Sequence, residues 1–125
     1  ERGGANGITA VNTLKGISVD IHTRRPVLSN VTGGISGPAL KPVALRCVWE
    51  VAESVELPII GCGGISDWRD AVEFLLCGAS AVQIGTALST RGPSIFRDVA
   101  DGIGRYLEEN GFREVREIVG LAHEA

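Results

Sequence analysis

The chain has 125 residues, of which 44% are hydrophobic and 22% charged, and its formal net charge at pH 7 is −3. This size and balance indicate one soluble domain at most, able to bury a core. The acidic balance argues against a nucleic-acid partner, which would require a basic surface. No apolar run approaches the ~20 residues of a membrane span, and no signal peptide is visible, so we expect a cytoplasmic protein.

The first predicted strand is Gly7 to Val11, and it is followed by Asn12 and Thr13. An asparagine side chain carries both a donor and an acceptor, so Asn12 could pair with an amide or carboxylate on a flat ligand. Alternatively, Asn12 caps the turn that follows the strand. The sequence does not choose between these two roles.

Residues Lys15 to Gly37 form a loop of unusual length for a compact domain. Long loops without regular structure are usually functional or disordered, and this one is too apolar for disorder. We therefore expect it to be ordered over the mouth of the fold. It ends in a segment, 33–37, with three glycines in five positions, which permits close backbone approach to a planar ligand but equally suits a tight turn.

Three helices are predicted after this loop. The first begins near Pro42, the second is capped by Ser66 or Asp67 and ends at Gly78, and the third covers about Ser94 to Asn110. In the third helix the apolar residues predicted to face inward are Ile95, Phe96, Val99, Ile103 and Leu107. A final short helix is expected over Phe112 to Leu121, and a polar turn is expected through Thr90 to Pro93.

Two apolar runs of strand length, Pro58 to Ile60 and Ala81 to Ile84, end at glycines. Neither shows clear polar alternation, so both are expected to be buried on both faces of a parallel sheet. The residues after them, Gly63-Gly64 and Gly85-Thr86, would leave bare backbone N–H groups at neighbouring strand ends. Such corners bind phosphate in α/β barrels. The alternative is that these glycines only make tight turns.

The predicted order of elements gives three βα units with right-handed crossovers. Three parallel strands alone would leave bare edges, and a whole barrel takes roughly 250 residues. We therefore predict an α/β fold: the C-terminal portion of a TIM (β/α)8 barrel, with residues 1–125 as about its last three βα units. The N-terminal half of the barrel is expected to lie outside this sequence, which has no methionine.

The three cysteines, Cys47, Cys62 and Cys77, form no C-x-x-C pair. Their apolar surroundings favour small buried hydrophobic residues over metal or redox roles, so no metal site is predicted.

Four motifs carry a resemblance to a known family. They are Asn12-Thr13-Leu14, the segment Asn30 to Pro42, the segment Ile60 to Gly64, and the segment Gly78 to Thr86. In this order they resemble the C-terminal part of class 1 dihydroorotate dehydrogenases, and the likeness covers nearly the whole chain. The Ser-Gly-Pro-Ala-Leu-Lys-Pro form of residues 36–42 resembles the NAD-linked 1B branch more than the fumarate-linked branch.

This resemblance implies a barrel that oxidises dihydroorotate to orotate in pyrimidine biosynthesis, with FMN accepting the hydride. Residue by residue, it implies that the FMN phosphate is bound by Gly63, Gly64, Gly85 and Thr86. It also implies that Val11 and Gly37 approach the flavin, and that Asn12 and Thr13 contact the orotate ring.

The same resemblance implies that the catalytic base is a cysteine on a mobile loop in the first half of the barrel. None of the three cysteines matches that position, so no catalytic residue is expected in these 125 residues and the isolated chain should be inactive. The implied partners are a second copy, as a homodimer, or a heterotetramer with an iron–sulfur, FAD-bearing subunit that passes electrons to NAD.

Three other functions stay open at this stage. The chain could belong to a dihydropyrimidine dehydrogenase-type flavin barrel, or to a non-redox, phosphate-binding TIM-barrel enzyme. It could also be a stand-alone half-barrel that pairs with itself or with a partner.

Overall fold

The computed structural model describes residues 1–124. Within this range the strands are β1 (Ile8–Ala10), β2 (Leu14–Ile17), β3 (Val19–Asp20), β4 (Arg25–Pro26), β5 (Thr32–Ile35), β6 (Ile59–Cys62) and β7 (Ala81–Gln83). The helices are α1 (Lys41–Ser54), α2 (Trp68–Leu76), α3 (Thr86–Arg91) and α4 (Ser94–Glu109). Short 3-10 turns lie at Pro38–Leu40, Val115–Ile118 and Leu121–Glu124.

The central sheet has three parallel strands in the order β1-β6-β7. Ile8 is level with Ile59 between β1 and β6, and Gly61 is level with Val82 between β6 and β7. Helix α1 lies between β1 and β6 in the chain, and α2 lies between β6 and β7. The predicted α/β fold of successive parallel βα units is confirmed, and its strands present their carboxyl ends at one edge of the sheet.

The core lies between this sheet and the helices. Its largest fully buried side chains are Phe74, Ile59, Ile95 and Val48, and a smaller cluster holds Leu75, Leu107 and Ile118. Gly61 allows the Phe74 ring to lie against β6, because a Cβ at Gly61 would come within 2.5 Å of that ring. The glycine is therefore part of the packing between α2 and the sheet.

Helix α2 begins as predicted. The Asp67 side chain accepts hydrogen bonds from the N–H groups of Arg69 and Asp70, and Asp70 reciprocates by accepting from the N–H of Asp67. This reciprocal capping box satisfies donors that have no partner inside the helix. It also fixes the point at which the chain leaves the loop after β6.

The segment Lys15 to Gly37 is ordered, as expected, but the prediction that it lacks regular structure is wrong. Strands β2 and β5 pair antiparallel over four residues each, and β3 and β4 form a smaller antiparallel pair inside them. Glycines at 16, 33 and 34 obscured the strands in the sequence, since glycine weakens the strand pattern. This excursion exposes much apolar surface: Leu14, Ile17, Val19, Ile21, Val27, Leu28, Val31 and Ile35.

Four further predictions about local structure are corrected. Residues 86–91 form helix α3, which takes up the first half of the polar turn expected through Thr90 to Pro93, and residues 112–121 contain a 3-10 turn, with a second one following it. Phe96 does not face inward, since it is 49% exposed. Strand β7 is not buried on both faces, because Ala81 and Gln83 are exposed at the bare edge of the sheet. Across the described residues, none of the helices combines the length and apolar character needed to cross a bilayer.

Candidate functional site

A cavity of about 300 Å³ lies at the carboxyl ends of the three parallel strands. It brings together the segment after β1, the end of the hairpin excursion, and the corners after β6 and β7. Of the residues predicted for the site, its lining includes Val11, Thr13, Gly37, Gly63, Gly64, Gly85 and Thr86. The two glycine corners therefore share one cavity, as the sequence predicts.

The corner after β6 is shaped by its packing against α1. Gly63 and Gly64 have φ angles of +135° and +76°, a region that favours glycine. A Cβ at Gly63 would lie 2.8 Å from that of Ala44, and one at Gly64 would lie 2.7 Å from the backbone nitrogen of Lys41. The tight-turn alternative thus explains why these residues are glycines, and it brings their main chain to the cavity wall.

The corner after β7 is open. A Cβ at Gly85 would meet no described atom within 4 Å, and one at Gly37 would approach only Thr86, at 3.9 Å. The Thr86 hydroxyl is 2.8 Å from Ser36 Oγ, so a hydrogen bond joins the two sides of the cavity. Gly85 and Gly37 therefore border free space, whereas Gly63 and Gly64 are tightly packed.

Main-chain amides line this space. Within residues 1–124, the N–H groups of Gly63, Gly64 and Gly85 donate to no backbone carbonyl. Thr86 and Ala87 begin α3, and the first N–H groups of a helix have no partner inside it. Amides of this kind, with hydroxyl groups beside them, are suited to hold an anionic oxygen cluster such as a phosphate.

The cavity wall is uncharged. Apart from glycines, its described residues are apolar or carry hydroxyl, thiol or amide groups, with no carboxylate or cationic side chain among them. A bound anion would therefore be held by dipoles and hydrogen bonds and would meet no fixed negative charge. Since no aromatic side chain lines the space between the two corners, the cavity stays open to a ligand.

Asn12 lies beside this cavity in a second depression of about 220 Å³, which it shares with Thr13 and Lys15. The Asn12 side-chain oxygen accepts a hydrogen bond of 2.7 Å from the N–H of Thr13, so the turn-capping role exists in the structure. Thr13 lines both cavities. Of the two predicted substrate residues, Thr13 therefore lines both spaces, and Asn12 lies only in the second depression.

Polar side chains behind the cavity hold the loop that follows β6. Asp70 Oδ2 accepts hydrogen bonds from the backbone N–H and hydroxyl of Ser66, both at 2.9 Å, and Lys41 Nζ lies 2.6 Å from Asp70 Oδ1. Burial alone would raise the pKa of Asp70, but the hydrogen bonds from Lys41, Ser66 and Asp67 outweigh it and lower the pKa below its usual value. Hydrogen bonds to Asp70 and Glu73 raise the pKa of Lys41 to about 12.

Among the cavity residues that the sequence analysis did not assign to the site are two polar ones, Ser36 and Gln83. Ser36 lies within the glycine-rich segment 33–37, where the pattern of glycines indicates a close backbone approach and not a hydroxyl contact. Gln83 is a polar residue inside an otherwise apolar strand, directly before the second corner. That interruption of the apolar run was a signal, since a polar side chain at the end of a buried strand usually serves a site.

A larger and more open groove of about 670 Å³ runs between β7 and α4. Its wall is mostly apolar and includes Val82, Phe96, Val99 and Ile103. It follows the bare edge of β7, and it contacts only one of the two glycine corners. We therefore take the smaller cavity as the candidate site and this groove as an unpaired surface of the sheet.

Comparison with known proteins gives a consistent result. The family model described as dihydroorotate dehydrogenase matches residues 1–107. The chain is 58% identical over 122 residues to the dihydroorotate dehydrogenase B (NAD(+)) catalytic subunit of Pyrococcus abyssi, which covers 98% of this chain and 41% of that protein. It is 53% identical over 120 residues to the protein of the same name from Bacteroides thetaiotaomicron, covering 96% and 39%.

Among solved structures, the chain is similar to a dihydroorotate dehydrogenase from Eimeria tenella crystallised with ferulenol, with 32% identity and a TM-score of 0.81. The match covers 99% of this chain and 33% of that one. The chain therefore spans about two fifths of the length of the curated relatives named above.

Proposed function

Since the chain belongs to the dihydroorotate dehydrogenase family, we propose that it forms part of an enzyme that oxidises dihydroorotate to orotate in pyrimidine biosynthesis. The observation that carries this proposal is the shared cavity, which is lined by two glycine corners whose N–H groups donate to no backbone carbonyl. A hydrogen bond from Thr86 to Ser36 connects the second corner to the segment after β5. The high identity to relatives named as NAD(+)-linked catalytic subunits supports it.

The residues of this cavity fit the phosphate end of FMN. Gly63, Gly64, Gly85 and Thr86 would hold the phosphate through amides and one hydroxyl, because the corners offer donors and no opposing charge. Val11 and Gly37 would contact the flavin. When bound, FMN supplies the acceptor for the hydride that leaves dihydroorotate, a reaction that no side chain can perform.

The residues of this chain would bind and orient the reactants. Asn12 and Thr13 would face the ring of dihydroorotate, since their depression adjoins the cofactor cavity and offers amide and hydroxyl groups. The Lys15 ammonium group shares that depression. The proton acceptor is proposed to lie outside these 125 residues, so the complete reaction needs the protein at the length of its relatives, called here the full-length protein.

The name of the relatives also favours an NAD-linked assembly. We propose a homodimer that associates with an iron–sulfur, FAD-bearing subunit, which would pass electrons to NAD. A cytoplasmic location agrees with three cysteines that remain free thiols, as is usual in a reducing compartment.

The test uses the full-length protein. We expect it to be isolated yellow, with a flavin absorbance that is bleached by dihydroorotate under anaerobic conditions. Dihydrouracil is the matched control, since it lacks the 6-carboxylate, and it should bleach the flavin far more slowly. Preferential reduction by dihydrouracil would favour a dihydropyrimidine dehydrogenase-type enzyme, and a colourless protein without affinity for FMN would refute the proposal.

A further inference from the structure

The loop 63–67, which carries the first glycine corner into α2, is held by side chains that do not line the cavity. Asp70 accepts hydrogen bonds from the Ser66 N–H and hydroxyl at 2.9 Å and from the Asp67 N–H at 3.2 Å. From the other side, Arg91 donates to the Ser66 carbonyl at 2.6 Å. These hydrogen bonds fix the polar groups at the end of the loop on the side away from the cavity. The N–H groups of Gly63 and Gly64 donate to no backbone carbonyl.

Lys41 contacts the same loop in two ways. Its backbone nitrogen is the atom that a Cβ at Gly64 would meet at 2.7 Å, so its main chain packs directly against the corner. Its side chain reaches α2, where Nζ lies 2.6 Å from Asp70 and 2.9 Å from Glu73. One residue therefore links the glycine corner to the carboxylate that holds the loop.

This arrangement is shielded, and the Lys41 cation offsets one of its two carboxylates. The Asp70 side chain is 13% exposed and that of Lys41 is 26% exposed, so their attraction is screened less than that of a surface pair. Without the Lys41 cation, Asp70 and Glu73 would place two uncompensated carboxylates behind the amides of the corner. Negative charge at that point would oppose the binding of a phosphate dianion.

We propose that Lys41 and Asp70 are positioning residues for the flavin phosphate, which hold the corner after β6 in its amide-presenting geometry without touching the ligand. This inference rests on the proposed function. It concerns only the phosphate end of the cofactor, so it separates from any general effect on flavin binding.

The experiment compares FMN with riboflavin, which has the same ring system and no phosphate. Affinities of the apo form of the full-length protein for both are measured by quenching of flavin fluorescence. The variants are Lys41→Met, Asp70→Asn and the conservative Lys41→Arg. Arg46→Met is the matched control, since Arg46 pairs with Glu50 at 2.7 Å on the same helix but on an exposed face.

We expect Lys41→Met to weaken FMN binding about 10-fold, the scale of one charge-assisted hydrogen bond. Asp70→Asn should weaken it less, because it loosens the loop but also removes one negative charge behind the corner. Riboflavin affinity should stay within about twofold. Lys41→Arg should recover most of the FMN affinity, and Arg46→Met should change neither ligand. Thermal unfolding is recorded for each variant. If Asp70→Asn does not fold, the variants of Lys41, which is less buried than Asp70, carry the test.

An equal loss of FMN and riboflavin affinity would show that the pair only stabilises the fold, and would overturn the inference. Unchanged FMN affinity in Lys41→Met would overturn it too. If the wild-type protein binds riboflavin and FMN equally well, the phosphate site itself is refuted. If it binds neither flavin, the proposed function fails, and this inference fails with it.

Discussion

The Thr86 hydroxyl donates to Ser36 Oγ at 2.8 Å, although the two residues lie 50 positions apart in the chain. Thr86 opens helix α3 after the corner at β7, and Ser36 follows strand β5 of the hairpin excursion. Their side-chain hydrogen bond connects the segment after β5 to the start of α3 at the candidate phosphate cavity. It also keeps two hydroxyl groups beside the proposed phosphate site.

Replacing Thr86 by valine should weaken FMN binding about 10-fold, because it removes the hydroxyl that donates to Ser36 in this structure and is proposed to donate to the phosphate when FMN binds. The free energy of unfolding should fall by less than about 1 kcal/mol, since the pair is exposed and water can replace the bond. Ser89→Ala is the matched control, because its hydroxyl bonds to the Thr86 carbonyl and does not line the cavity. Fluorescence titration of the full-length protein measures both, and equal effects would count against a role for Thr86.

The two glycine corners should respond differently to alanine. Gly64→Ala should lower the free energy of unfolding by about 1–3 kcal/mol, because φ is +76° and the methyl group would press on Lys41 and Gly37. Gly85→Ala should leave stability within about 1 kcal/mol, since its methyl group meets open space. Gly85→Ala should nevertheless weaken FMN binding, because Gly85 lines the cavity and the added methyl group would occupy part of it. Urea denaturation and flavin titration test the pair, and normal FMN affinity in Gly85→Ala would be contrary to the account.

Acid should weaken the contact between Asp70 and its partners. The pKa of Asp70 is held below 3.8 in the folded protein, so the stability it provides is present above that value and is lost as the pH falls through the folded pKa. The pKa of Lys41 is raised from 10.5 to about 12, so its contribution is complete below 10.5 and disappears only as the pH rises through about 12.

The difference in unfolding free energy between wild type and Asp70→Asn should therefore be constant between pH 6 and 9 and shrink below about pH 4. Urea denaturation at a series of pH values measures it. A difference that is unchanged at pH 3 would show that the Asp70 carboxylate is not held by these hydrogen bonds.

Phe96 should gain its importance only when the rest of the protein is present. It is 49% exposed on the groove beside β7, where a closed barrel would place its first βα unit. In the full-length protein Phe96→Ala should cost about 3 kcal/mol of stability, as for a buried phenylalanine. In the 125-residue chain the cost should be below about 1 kcal/mol, and equal costs in both proteins would argue against barrel continuation at this edge.

The parallel sheet and the main helices could be predicted because their signals are local. The apolar runs before Gly63 and Gly85, and the Asp67 cap, each act within a few residues. The two glycine corners of the candidate cavity, Gly63-Gly64 and Gly85-Thr86, followed from the same reasoning, since the ends of parallel strands meet at one edge of the sheet. Val11 and Gly37 followed from the family resemblance.

The remaining features depend on tertiary contacts, which a local sequence pattern does not reveal. The helical stripe of α4 marks Phe96 as apolar, but only the structure shows that no described element covers it. The β2–β5 pairing was hidden because Gly16, Gly33 and Gly34 carry no side chain to give the alternation of a strand. The role of Lys41 depends on its distance to Asp70, 29 positions further along.

The most direct test of the central claim is a crystal structure of the full-length protein with bound FMN. We expect the phosphate oxygens to lie within about 3 Å of the amide nitrogens at both glycine corners, Gly63-Gly64 and Gly85-Thr86, as in ordinary hydrogen bonds. A phosphate group held at another part of the protein, with these amides facing water, would contradict it.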